Sequence, residues 1–213
     1  MKKILLTLFA AVMVFTISAQ QQEAMNNILK LNAKVKNFEG TFSREVYLKA
    51  TGNTTKSSGT LYFQGTKLSM IYSDPKGEIL VLDGTNFTQA KPDGKVQTPN
   101  IEKLEMFHNL HYTLLYSMAG KISDVAKENE GKVTGFKDNG KQYVFTITKD
   151  KKRGLISQLV LTYDKKDGTL QSMKMVDKAG GYSLYTFTGA KKINTTIDAA
   201  KFVAPKKGRE KKN

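Results

Sequence analysis

Residues 68–84 read LSMIYSDPKGEILVLDG. Leu68, Met70 and Tyr72 alternate with Ser69 and Ser73, the period-two pattern of a strand with one apolar face. Asp74-Pro75-Lys76-Gly77 then makes a turn, and Ile79-Leu80-Val81-Leu82 follows with no polar side. In a chain of mean hydropathy −0.40, such a run is either a central core strand or one whose second face lines a hollow for something apolar.

Working outward, the same grammar continues on both sides. FEGTFSREVYL (38–48) and SSGTLYFQG (57–65) precede the stretch, and NFTQAKPDGKVQT (86–98) follows it. Short Gly, Asp or Pro turns separate them, as in an antiparallel meander. A second set follows in KVTGFKDNGKQYVFTITK (132–149), GLISQLVLTYDKKDGTLQSMKMV (154–176) and GGYSLYTFTGA (180–190), with hairpin signals at DNGK and KKDGT. Two segments break the strand pattern. From Gln22 to Lys36, Met25, Ile28, Leu29, Leu31 and Val35 recur at helical spacing. Between the strand sets, Leu104, Phe107, Leu110, Leu114, Leu115 and Met118 do the same in a helix closed by Gly120. The expected architecture is mainly β with α: one antiparallel sheet with a helix before it and a helix in its middle, the run at 79–82 forming a central strand covered on both faces.

The ends of the chain bear on location. Lys2-Lys3, the apolar run ILLTLFAAVMVFTI and the small residues Ser18-Ala19 before QQQE read as a secretory signal over residues 1–20, too short for a stable membrane span. The rest forms one domain over 21–205, with a basic tail, KKGREKKN, over 206–213. The chain has no cysteine, so an exported form has no disulfide framework and no thiol for a lipid anchor. The formal charge of +15 falls to +13 once Lys2 and Lys3 leave. The lysines are scattered over strand faces and turns without a nucleic-acid-binding motif, so the charge reads as a solvated surface and nucleic acid is not an expected partner. Only the tail concentrates it, enough for transient contact with an anionic membrane.

At this point the residues resemble a family. GTLYFQGTKLSMIYSDPKGEILVLDGTNF (59–87) is similar to the core signature of LolA, the soluble carrier of outer-membrane lipoproteins: a Gly-x-Leu strand, a Lys-x-x-x-x-Tyr strand, a Pro, then Leu-Val-x-Asp-Gly. VKNFEGTFSREV upstream and IDAAKF downstream match the blocks that open and close the carrier domain. The resemblance implies an unclosed half-barrel whose concave apolar face is covered by a helical lid. It also implies a periplasmic monomer that takes acylated lipoproteins from an ATP-driven (ABC-type) inner-membrane complex, shields their acyl chains and releases them to an outer-membrane acceptor, without cofactor or covalent chemistry.

The residues suit that role on physical grounds. Each methylene withdrawn from water is worth roughly 0.8 kcal/mol, so an acylated cargo needs an apolar face to cross water. Leu61 and Phe63, then Leu68, Met70 and Tyr72, then Met173 and Met175 flanking Lys174 supply same-face apolar side chains from different strands. Methionine adapts to irregular apolar shapes. Phe42 on the first strand and Leu114 and Met118 on the middle helix complete the candidate ligand-binding set, and each could equally be ordinary core.

One departure from the family stands out. Gly65-Thr66 occupy the place of an Arg-Pro pair whose arginine ties lid to sheet in LolA proteins. Arg44, on the same strand face as Phe42 and Val46, is the substitute candidate for a lid latch, or else an arginine near a sheet edge whose head reaches solvent. His108 and His111 stand three apart on the middle helix with no third ligand near them, which favours helix-surface or partly buried polar groups over a metal site. With no nucleophile–base pair and its acids mostly in turns, the chain is not expected to be an enzyme. The rival function is an envelope lipid- or glycolipid-binding or sensing module of the same fold.

Overall fold

The computed structural model describes residues 19–98, 105–149, 155–189 and 191–205. The expected export signal, except its last two positions, and the basic tail lie outside them. Helix α1 covers residues 19–32. Six strands follow: β1 (Asn37–Leu48), β2 (Asn53–Gln64), β3 (Lys67–Asp74), β4 (Ile79–Leu82), β5 (Phe87–Ala90) and β6 (Val96–Gln97). Helices α2 (Glu105–Met118) and α3 (Ile122–Glu128) come next, then β7 (Gly131–Asp138), β8 (Gln142–Lys149), β9 (Ile156–Asp164), β10 (Leu170–Asp177), β11 (Tyr182–Thr186) and β12 (Lys191–Ile193), and a 3-10 turn at Ala199–Phe202.

All twelve strands join one antiparallel sheet in the order β6-β5-β4-β3-β2-β1-β11-β10-β9-β8-β7, with β12 also on β1. β6 and β7 do not pair, so the curved sheet stays open as a half-barrel, and helices cover its concave face. The hairpins are sequential. The one long step places β11 beside β1, with Arg44 opposite Tyr185 and Val46 opposite Ser183, and joins the two meanders into one surface.

Strand alternation decides what lies inside. Phe38, Phe63, Leu68, Leu82 and Phe87 pair in one row from β1 to β5, and Leu61, Met70 and Leu80 form the next. On the other side of β11, Tyr185, Met173, Leu161 and Phe145 form a row, with Met175, Leu159 and Ile147 beside it. These side chains are buried and form one apolar cluster with the helices.

β4 departs from the expectation. It is apolar on both faces, but it stands third from one end of the sheet. Leu80 and Leu82 join the inner cluster, whereas Val81, 1% exposed, lies on the outer face in a row with Tyr62, Ser69 and Thr88. The 3-10 turn packs against β3, with Phe202 buried and the Lys201 ammonium over the Tyr62 ring, 5.4 Å from its centroid. The chain thus returns at its end over the outer face of β2 and β3, beside β4, whose own outer residue Val81 is buried.

The helices differ from the expectation in detail. α1 ends at residue 32, short of the Lys36 to which the helical spacing runs, and closes with tightened turns in which Lys34 N donates to Leu31 O and Val35 N to Asn32 O. Ala24, Met25, Ile28 and Asn32 form its buried stripe, which leaves Leu29 45% exposed. α3 was not anticipated; Ile122, Val125 and Ala126 bury one face of this short helix against β7 and β8. Leu104 and Phe107 have no described side chains. Leu114, Leu115 and Met118 are buried, and Leu110 partly so. Among the described residues no helix is long and apolar enough to cross a membrane.

Candidate functional site: an apolar face under helices

The ten residues singled out from the sequence come together. Phe42, Leu61, Phe63, Leu68, Met70, Tyr72, Met173 and Met175 stand on the inner face of β1, β2, β3 and β10, and Leu114 and Met118 face them from α2; none is more than 9% exposed. Gly59 lies between Phe42 and Tyr72 in the register. With no side chain there, the two rings meet edge to face at 4.9 Å. The face is apolar and drawn from both meanders.

α2 spans it. At its middle the His111 ring packs 5.8 Å from Phe87 on β5; near its end Ser117 O accepts from the Tyr163 hydroxyl of β9 at 2.9 Å, and Ser117 Oγ meets Met173 Sδ of β10 at 3.9 Å. One helix therefore bridges the two halves of the sheet. His111, expected at the helix surface or partly buried, is fully buried, its ring also against Tyr112 at 4.2 Å. Burial pushes the Tyr163 hydroxyl well above the usual phenol range, although its bond to Ser117 acts the other way. It therefore stays a proton donor.

α1 is seated on two glycines. Gly120, at the end of α2, and Gly168, in the β9–β10 turn, both have positive φ. A methyl on Gly120 would come 2.7 Å from Asn32 Nδ2, and one on Gly168 would come 2.6 Å from Leu31 Cβ. Asn32 is buried there and donates to Gly168 O at 2.7 Å and to Ile28 O at 3.0 Å. Asn129, at the end of α3, similarly donates to Thr113 Oγ1 of α2 at 2.7 Å. Sequence reasoning passed over Tyr163, Asn32 and Asn129. Their signal was polarity at positions whose spacing demands burial: Tyr163 follows Leu159 and Leu161 on one strand face, and Asn32 follows Met25 and Ile28 on one helix face.

Arg44 stands on the inner face of β1, which is flanked by β2 and β11 and so lies inside the sheet, not at an edge. Its guanidinium lies over the Tyr185 ring, 5.5 Å from the centroid. Burial acts to lower its pKa, but the Tyr185 and Tyr72 hydroxyls and the Glu78 carboxylate outweigh that and hold it above the ordinary arginine value. All these neighbours belong to the sheet side. The contacts that tie helix to sheet run instead through Tyr163 and Asn32.

A separate groove of about 330 Å³ lies where β1, β2, β3 and β11 meet, lined mainly by hydroxyl residues including Thr41, Ser43, Ser58 and Thr186. It does not open on the apolar cluster's side chains other than Phe42.

With this geometry in view, comparisons with known proteins fall into place. The family model described as outer membrane lipoprotein carrier protein LolA matches residues 33–204. No curated protein sequence matches the chain significantly. Among solved structures, an uncharacterized conserved protein from Thermus thermophilus superposes with a TM-score of 0.50 at 10% identity, over 88% of this chain and 95% of that one. MucB gives a TM-score of 0.50 at 12% identity, over 89% of this chain and 64% of that one. A putative outer membrane lipoprotein-sorting protein domain from Vibrio parahaemolyticus gives 0.48 at 9%, over 85% and 96%. At such identities the structural likeness speaks for the fold alone. The match of the family model over most of the length, from the end of α1 to the outer-face turn, says more: the chain belongs to the LolA family of outer membrane lipoprotein carriers.

Proposed function

We propose that the protein is an exported, periplasmic carrier that holds the acyl chains of lipoproteins against the concave face and performs no covalent chemistry. The observation that carries this reading is the kind of cover the face has. Here one bridging helix, a short helix and a glycine-seated helix close a face of methionine, leucine and aromatic side chains. Acyl chains that replaced α2 on that face would recover the apolar contacts the helix gives up, at roughly 25 cal/mol per Å² of apolar surface kept from water. Exchange of helix for lipid is then close to balanced, which loading and release both require. In this reading an inner-membrane ATP-driven complex loads the carrier, an outer-membrane acceptor unloads it, and a monomer suffices.

The chain's lack of cysteine makes a clean test available. Ser117→Cys with Met173→Cys places thiols on two positions, one on α2 and one on β10, whose native side chains meet at 3.9 Å. Oxidised, the helix is pinned to β10, and uptake of a fluorescent acyl probe or of an acylated lipoprotein should be lost; a reductant should restore it. Unchanged uptake in the oxidised protein would mean that lipid binds elsewhere or not at all.

A further inference from the structure

Cover over the concave face is uneven from one end of the strands to the other. Along β1 the inner positions run from Phe38 and Phe42, both buried, through Arg44 and Val46, half-buried, to Leu48, 50% exposed. β9 shows the same fall-off, from Tyr163, Leu161 and Leu159, all buried, through Ile156, partly buried against the apolar cluster, to Leu155, 64% exposed. At the covered end α1 rests on the β9–β10 turn through Leu31 and Asn32. At the other end the apolar face runs out to a rim that water reaches. The remaining exposed large apolar side chains among the described residues, Leu29, Ile193 and Val203, are elsewhere; Ile193 pairs with Phe38 at the covered end.

The register brings the two leucines to one place. Tyr182 of β11 pairs with Tyr47 on one side and Val176 on the other, and Lys178 N donates to Leu155 O at 3.0 Å. Leu48 and Leu155 therefore flank the β10–β11 turn, three strand spacings or roughly 14 Å apart. Lys178 is exposed in that turn. A methyl on its Gly180 would come 3.0 Å from Lys49 Nζ, so the Lys49 ammonium lies over the turn as well. The acid of the turn, Asp177, accepts with its carboxylate from Gly181 N at 2.9 Å. Two leucines beside lysines suit a surface that meets a bilayer, because the apolar side chains pass the headgroups while the ammonium groups stay among the phosphates. They fall far short of the roughly 800 Å² per partner that a stable protein interface buries. An acyl chain leaving by this rim would pass Val46 and Leu48 into a bilayer without exposing its methylenes to water, which each of them resists.

We infer that the rim formed by Leu48, Leu155, Lys49 and the β10–β11 turn is the mouth of the concave face and docks it on an anionic bilayer, where acyl chains pass between carrier and membrane. The inference rests on the carrier reading and adds to it the place and the kind of surface at which cargo crosses.

The absence of native cysteine lets a single introduced one carry an environment-sensitive dye such as NBD. Labelled at Leu48→Cys or Leu155→Cys and mixed at low salt with vesicles of phosphatidylcholine and phosphatidylglycerol, the protein should show brighter, blue-shifted emission. Labelled at Lys166→Cys, exposed in the turn at the covered end, it should show neither. In flotation with the same vesicles, Leu48→Asn with Leu155→Asn should weaken association about ten-fold or more. Lys49→Gln should weaken it about five-fold at low salt and less as salt rises. Both variants should still take up a fluorescent acyl probe from solution. An equal dye response at position 166, or association that both variants retain in full, overturns the mouth and leaves the carrier reading standing. Absence of any association between the parent and vesicles overturns it too, in favour of a rim that meets a protein. If the parent takes up no acyl probe, the carrier reading fails and the mouth fails with it.

Discussion

Tyr163→Phe isolates the bond that holds α2 to the far half of the sheet. The ring remains, and with it the edge contact to Phe145 at 6.1 Å; only the hydroxyl is lost. Ser117 O is not orphaned by the change, because Gly120 N also donates to it at 3.1 Å. The loss is therefore that of one net hydrogen bond, about 1 kcal/mol, without the larger penalty of an unsatisfied buried carbonyl. If that bond exists only while the helix is seated, the open population rises about five-fold. Two measurements follow the same event: hydrogen exchange at the amides of residues 111–118, and the rate of acyl-probe uptake when opening limits it. Both should rise by about that factor. Unchanged exchange and unchanged uptake, with only a lower melting temperature, would refute the reasoning. Tyr163 would then be a core residue that happens to touch a helix, and the seat of α2 would lie elsewhere.

Three further outcomes are expected. Met70→Glu or Phe63→Glu places a carboxylate on the apolar face and should abolish acyl-probe uptake while circular dichroism still reports the sheet. Gly168→Ala crowds Leu31 and strains a positive-φ position, so it should loosen α1, raising exchange at residues 24–32 and lowering stability by roughly 1 kcal/mol or more; urea unfolding measures the second effect. Burial raises the pKa of Tyr163, and also of Tyr185 and Tyr72. Below about pH 10 both folded and unfolded forms keep these protons. Above it the unfolded chain releases them first, so stability should fall by about 1.4 kcal/mol in total for each tyrosine between pH 9 and 11, with one share fewer in Tyr163→Phe, when urea unfolding is followed over that range.

The strands were legible because the sheet has one face in and one face out for most of its length, and alternation records that directly. Leu68, Met70 and Tyr72 could be assigned to one surface from spacing alone. β4 could be seen to need cover on both faces, but not to stand near the sheet's end, since strand order is fixed by pairings that alternation does not record. The helix seats were hidden for a related reason. KKDGT announces a hairpin, and nothing local reveals that its glycine is also bare so that Leu31 and Asn32 can rest on it. α3 is too short for periodicity to separate from a loop. Arg44 could be placed on the inner face by alternation; its bed on Tyr185 depends on β11 lying beside β1, a pairing between the two ends of the domain.

The return of the chain over the outside of β2 and β3 gives the sheet two mechanical regimes. On that side Tyr62, Ser69, Val81 and Thr88 are buried from without while Leu61, Met70 and Leu80 are buried from within, so the wall is laminated. Across β8–β10 the outer positions Thr146, Val160 and Lys174 are only half covered, and the wall is a single ply. A laminate resists flexure far more than one ply of the same material, because bending must shear its layers past each other. A ligand thicker than the displaced helix would then be accommodated by outward flexure of β8–β10, while β2–β4 keeps its curvature and serves as the fixed jaw.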